Sequence, residues 1–330
     1  MNAILKWDGG KITKPGIYAD VPIDVYHDDC CDGPSISSSG LRTIVNDSPK
    51  HYWLTSYLNP DAPEQEESEA LLLGRAVHHL ILGQKNFAAE FVIQPLKYVH
   101  PKEGEKAWSN NAQICKDWRA EQKKKHKSIL TATQVEKIKG MARSLAQDEM
   151  VKLGLLNGLV EHSLFWRDKK TGIWCKIRPD TMPVLPALTG ASADICDLKT
   201  ILGVDYIEMH NSYKTNAYYM QAGLIREGLR EVLSVDVSTF TLQFIEKTEP
   251  HCTRPVILDE DDMDLGDEAN RVGLDVMARC MVMKQWPGPG RGPGRDLMEK
   301  LKLSDRAREE IEQKLMRLRD TFELNKEQNR

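Results

Sequence analysis

The chain has 330 residues, 41% of them apolar, and a formal net charge of −4. That length and composition suit one large α/β domain with appendages. No run of 18 apolar residues occurs and Met1 to Lys14 carries no apolar leader core, so neither a membrane span nor export is expected. The acidic average does not exclude a nucleic-acid partner, because the clusters Asp61–Glu69 and Asp259–Glu268 can mask a local basic channel. The seven cysteines are Cys30, Cys31, Cys115, Cys175, Cys196, Cys252 and Cys280. Their odd number and the lack of a C-x-x-C pair argue against a complete disulfide framework and point to a reducing cytoplasm.

In chain order, GIYADVPIDVYH (16–27) alternates as a strand. Ser37, Ser39 and Leu41, followed by Ser48-Pro49, mark a capped helix, a break and a second helix. In LLLGRAVHHLILG (71–83), Leu72, Leu73, Ala76, Leu80 and Ile81 fall at helical spacing. Gly74 leaves one side of this helix open to another backbone. His78 is either a satisfied core histidine or an imidazole reaching a metal or phosphate. His79, about 100° further round, is structural. Arg75 on the same helix is a candidate DNA contact. Lys102–Lys125 and Thr133–Asp148 read as amphipathic helices, so the part up to about residue 150 is expected to be helical. Lys116, Arg119, Lys123, Lys124, Lys125 and Lys127 either line a DNA channel or solvate helix ends.

Strands follow at 159–167, 173–181 and 192–200, the first two joined as a hairpin by the Asp168–Gly172 turn. The first carries Glu161, which faces either a cleft or solvent. The second passes Lys176 and Arg178, candidate DNA contacts, and ends on Asp180. The third carries Asp197-Leu198-Lys199. Side chains two apart on a strand share a face, so Asp197 and Lys199 project together.

Two neighbouring carboxylates repel unless a cation lies between them, and oxygen donors favour magnesium or manganese over zinc. A lysine beside such a site orients or deprotonates water and offsets charge on a phosphate. Taken alone, Asp-x-Lys also fits a salt-bridged strand end. Pro183, Pro186 and Gly190 imply a wide loop between the two acids.

A helix at 205–229, or two abutting ones, carries Tyr213, Tyr218, Tyr219 and Gln221. Gln221 either holds water or phosphate or faces solvent. Strands at 236–246 and 251–258 and a helix at 260–285 complete the core, and Cys175 and Cys196 read as small buried hydrophobes. PGPGRGPGR (287–295) is a break that no helix or strand should cross. Beyond it, Asp296–Glu323 is a charged helix with sparse apolar positions, packed on a partner or solvated.

The order Ser-x-Ser-x-Leu, Ser-Pro-x-x-Tyr, Gly-x-x-x-His on a helix, Glu on a strand, Arg-Pro-Asp, Asp-x-Lys-Thr and a Gln-bearing helix resembles the RecB-like branch of the PD-(D/E)XK nuclease superfamily. Within it, the chain is most similar to RecE-like (exodeoxyribonuclease VIII) exonucleases of phages and prophages, from about Gly16 to Trp286. The resemblance implies a restriction-endonuclease-like α/β core, a central mixed β-sheet flanked by helices. To this are added a helical N-terminal part and a charged C-terminal helix. It divides the chain into a nuclease domain (1–286), a Pro/Gly linker (287–295) and a tail (296–330).

It also implies Asp180, Asp197 and His78 as metal ligands, with the Leu198 carbonyl as an extra one, and Lys199 as the catalytic lysine. Glu161 and Gln221 match the glutamate and glutamine of the flanking motifs. Ile225 stands where relatives carry tyrosine, so that role passes to Tyr218 as a DNA contact. Ser48 occupies the cluster-cysteine position of iron–sulfur relatives, so no cluster is expected. The implied activity is magnesium-dependent 5′-to-3′ digestion of linear duplex DNA, with manganese substituting. A ring-shaped homo-oligomer and a single-strand annealing partner are expected in the cytoplasm of a bacterial host. The alternatives are a single-strand, flap or endonuclease of the same superfamily, or a non-catalytic scaffold binding DNA ends.

Overall fold

One hairpin serves two sheets, and the place where it passes between them is where the acids gather. In the computed structural model, which describes residues 4–63, 68–83, 87–184, 192–289 and 302–328, five strands make a first sheet. Their order is Leu5–Lys6, Gly16–Ala19, Ser163–Arg167, Trp174–Ile177 and Ser35–Ser37. A second sheet runs Thr253–Ile257, Asp236–Glu246, Ser192–Ile201, Thr181–Met182 and Leu159–Val160. Both mix parallel and antiparallel pairs.

The hairpin arms therefore break twice. On one arm, Arg178-Pro179-Asp180 interrupts the ladder, since proline has no N–H to give it. On the other, Glu161 takes a positive φ of 48°. The breaks face each other, the Glu161 N–H donating to the Asp180 carbonyl at 3.1 Å.

The Ser192–Ile201 strand is covered on both faces. Ile195 and Ile201 join the main core, while Cys196 and Leu198 join a second cluster with Leu73, Ala76 and Val77 of the helix Glu69–Ile81. A Cβ on Gly74 would sit 3.8 Å from Thr200 Oγ1, so this helix runs close over the acid-bearing strand. The helix Tyr218–Leu233 packs against the long helix Glu260–Met283. They come close at Gly266, where a Cβ would lie 2.2 Å from the Tyr219 carbonyl oxygen.

Several expected elements differ. The strand at 16–27 stops at Ala19. Asp20, at φ 60°, turns the chain, and Ile23–His27 is a short helix. Residues 102–112 are not helical. A polar hairpin, Lys97–His100 with Gly104–Ala107, precedes a helix confined to Gln113–Lys124. The N-terminal part is thus strand-bearing rather than helical throughout. At 205–229, of the two readings it is the pair of abutting helices that forms, Tyr206–Thr215 and Tyr218–Leu233, separated by Ala217 in a left-handed conformation.

The loop at 185–191 and residues 290–295 of the Pro/Gly break lie outside the described residues. The chain divides into two compact units, Met1–Gly288 and Pro289–Arg330, the second containing the helix Asp305–Gln328. Among the described residues no helix is long and apolar enough to cross a membrane.

Candidate active site

Strand alternation sets the first half of the site. Leu198 and Cys196 turn into the apolar cluster below, so Asp197 and Lys199 project together on the other face. The Lys199 ammonium is paired with Asp197 Oδ2. Gln221, one turn into its helix, closes a ring: its Nε2 donates to Asp197 Oδ1 at 2.9 Å and its Oε1 accepts from Lys199 Nζ at 3.0 Å. The Tyr218 ring lies 4.8 Å from the ammonium.

The Pro179 break delivers the second half. Asp180 Oδ2 accepts from the Leu198 N–H at 2.7 Å, and its Oδ1 accepts from His78 Nδ1 at 3.1 Å. Asp180, Asp197, Lys199, His78, Gln221 and the Leu198 backbone are thus brought into one cluster. Leu198 enters through its N–H, whereas its carbonyl was the expected ligand.

The electrostatics are those of crowded, buried charges. Burial raises the Asp197 carboxyl and the nearby Asp180 charge raises it further, so it lies above the ordinary carboxylate range despite Lys199. Burial acts the same way on Asp180, but His78 and Lys199 outweigh it and hold its carboxyl low. Burial alone would lower His78 and Lys199; the two aspartates lift both above their ordinary values. Lys199 is therefore an ammonium at neutral pH.

A cleft of about 290 Å³ opens from Asp180 and Gln221, lined also by Glu161, Arg42, Arg178 and Ser37 to Ser39. Glu161 sits on its rim. Arg178 is committed within the protein: Nε donates to Ser163 Oγ at 2.8 Å, Nη2 to the Val21 carbonyl at 2.7 Å, and the guanidinium lies over Tyr26.

The other residues expected to contact DNA are placed as follows. Lys176 does not line this cleft; it is buried against the Asp28 carbonyl and Cys30 Sγ. Arg75 pairs with Glu90 and Ser128 and lies over Phe91. Tyr218 is buried and holds the lysine, instead of presenting a surface to DNA. Lys116, Arg119 and Lys123 to Lys125 are exposed, Arg119 bonding Asn110 and Lys125 bonding Glu121.

Arg42 escaped the sequence reading. Its Nη1 donates to the Asn216 carbonyl at 2.5 Å, while its buried Nε has no hydrogen-bond partner. Ser38 Oγ is likewise buried and unpartnered, and Ser37 makes no capping bond but meets Ser39 Oγ at 2.9 Å. The Ser-x-Ser-x-Leu pattern signalled a helix start, and the arginine directly after it was the available clue.

Among the described residues no three His, Cys, Asp or Glu side chains form a ready metal cage. The donor chemistry nevertheless fits a hard divalent cation. Two buried carboxylates converge, and Asp197 Oδ2 has no hydrogen-bond partner, only the ion pair with Lys199. Asp180 and Asp197 are the residues that would hold such an ion.

A carboxylate pair beside an Asp-x-Lys lysine, on a mixed sheet between helices, defines the PD-(D/E)XK nuclease class. The comparisons with known proteins agree. Residues 37–292 match the family described as "PDDEXK-like domain of unknown function (DUF3799)", and the chain belongs to that family. PD-(D/E)XK nucleases generally use divalent metal ions. The chain is also similar in fold to a solved "Putative exonuclease" from Eubacterium rectale. That likeness has TM-score 0.51 at 13% identity, covering 81% of this chain and 91% of the other. None of the curated proteins matches the chain.

Proposed function

We propose that the protein is a magnesium-dependent exodeoxyribonuclease that digests linear double-stranded DNA from its ends, 5′ to 3′. The observation that carries this reading is the convergence of Asp180, Asp197 and Lys199, closed by Gln221. Asp180 and Asp197 would hold the cation, which when bound would offset charge developing on the phosphate and make water more acidic. Lys199, kept as an ammonium by the two aspartates, orients the attacking water and neutralises a phosphate oxygen without serving as a base. Gln221 fixes the lysine's direction. Phosphodiester hydrolysis with loss of a 3′-oxygen leaves 5′-phosphorylated mononucleotides.

The RecE-like order of motifs supports the polarity and the 3′ single-stranded tails. It also supports a ring-shaped homo-oligomer and handover to a single-strand annealing protein. The test is digestion of 5′-labelled and 3′-labelled linear duplexes beside a closed circle, with Mg2+, Mn2+, Ca2+ or EDTA. The expected result is early release of the 5′ label as mononucleotide with Mg2+ or Mn2+, and intact circles throughout. Cut circles, or preference for single strands or flaps, would replace the exonuclease reading with that of a related endonuclease or flap nuclease. Binding of ends without cleavage in any metal would leave a scaffold.

A further inference from the structure

We propose that Cys30 is a sulfenylation site, a thiolate paired with the Lys176 ammonium that takes one oxygen atom from a small peroxide. Lys176 is 3% exposed, and among the described residues no carboxylate lies within ion-pairing distance of it. Its polar partners are the Asp28 carbonyl at 3.2 Å and Cys30 Sγ at 3.6 Å, with the Tyr26 and Tyr57 rings flanking it at 5.3 and 5.5 Å. A buried ammonium without an anion is costly, and the sulfur is the group placed to be that anion. Cys31 Sγ is 3.7 Å from Cys30 Sγ, near enough to donate its S–H once Cys30 has ionised; as a thiol, Cys30 donates to the Tyr26 carbonyl at 3.8 Å.

The electrostatics agree. The Cys31 hydrogen bond, with Lys176, brings the Cys30 thiol down to about 6 against the opposing effect of burial, while Cys31 itself is pushed well up. His27 is lowered to about 4 by burial, and by Lys176 and Arg178, so it stays neutral and adds no competing charge.

A cavity of about 260 Å³, lined by Ser35, Thr43, Ser56 and Tyr57 among others, reaches Lys176, whose ammonium lies 3.6 Å from the Cys30 sulfur. In the reaction the Cys30 sulfur attacks one peroxide oxygen. An S–O bond forms as the O–O bond breaks, and hydroxide leaves and becomes water by taking up the proton that the thiol released to solvent. Sulfur loses two electrons and the peroxide gains them. The sequence stops at the sulfenic acid. Adjacent Cα atoms joined by a trans peptide are about 3.8 Å apart, less than the roughly 4.4–6.8 Å a disulfide spans. The single cis bond among the described residues is elsewhere, at Glu249-Pro250.

The test treats the full chain with low hydrogen peroxide and dimedone, then maps adducts by mass spectrometry. The exposed Cys252 is the internal comparison. Cys30 is expected to carry the adduct first, and Lys176→Arg to preserve this. Lys176→Met should slow labelling about tenfold, because a large loss of thiolate is partly offset by the greater nucleophilicity of a more basic sulfur. Unchanged Cys252 labelling and melting temperature show that the variants fold. If Lys176→Met does not fold, the order of Cys30 and Cys252 in the wild type decides. Labelling of Cys252 with Cys30 untouched overturns the proposal, as does an equal Cys30 rate in a folded Lys176→Met protein.

Discussion

Lys199 and Lys176 both point a largely buried ammonium from a strand, yet their surroundings drive them in opposite directions. Lys199 meets Asp197 and feels Asp180, and the two acids raise it above the ordinary lysine value. Lys176 meets a carbonyl and a sulfur, and burial wins, so its affinity for the proton falls. Position on a strand tells which face a lysine takes; the neighbouring elements decide whether it meets carboxylates or a sulfur. In the first case a broken hairpin arm supplies Asp180 and a helix supplies Gln221. In the second, the segment around Asp28 to Cys31 supplies no carboxylate contact.

The largest effect that sharpens this contrast is at Asp197. Asp197→Ala should lower DNA hydrolysis on the order of 10^3-fold or more, read as kcat on a linear duplex. Equal rates would break the distinction between the lysines. Gln221→Ala should cost about 10–100-fold with melting unchanged, because the glutamine positions Lys199 and Asp197. A thermal melt checks the packing that holds that helix. Gly266→Ala should destabilise by about 1–3 kcal/mol, since the added methyl collides with the Tyr219 carbonyl.

The smallest effect concerns Asp168 at the hairpin turn, away from both lysines. Burial opposes its ionisation, but Arg271 and the Thr171 hydroxyl and N–H outweigh that and lower its carboxyl to about 2. A depressed folded-state value means its stabilisation is complete above the ordinary value near 3.9 and is lost as pH falls towards 2. Denaturation midpoints of Asp168→Asn should therefore lack the part of the acid slope below about pH 4 that the wild type shows.

The Asp-x-Lys pair was legible because strand period is local: alternation alone puts positions 197 and 199 on one face. The strand Asp236–Glu246 was legible in the same way from its alternation. The hairpin break was not. Pro179 could be read as a ladder interruption, but the opposing left-handed Glu161 depends on the partner arm, which spacing does not reveal. The sequence allows two abutting helices at 205–229, but Ala217, left-handed without being glycine, gives no signal of where their boundary falls. The polar hairpin at 97–107 is held by cross-strand pairs such as Lys97 with Glu105, and it carries no apolar alternation to announce itself. Lys176 looked like a channel cation because its burial comes from Tyr26, Tyr57 and the two cysteines, all more than 100 residues earlier.

The most direct measurement is the hydrolysis rate of a linear duplex by the metal-stripped wild type and by Lys199→Met, each with Mg2+ restored and melting temperatures recorded in parallel. The account predicts full recovery by the wild type and a folded Lys199→Met protein at background. Comparable hydrolysis by both, or wild-type hydrolysis that persists in EDTA, would contradict it.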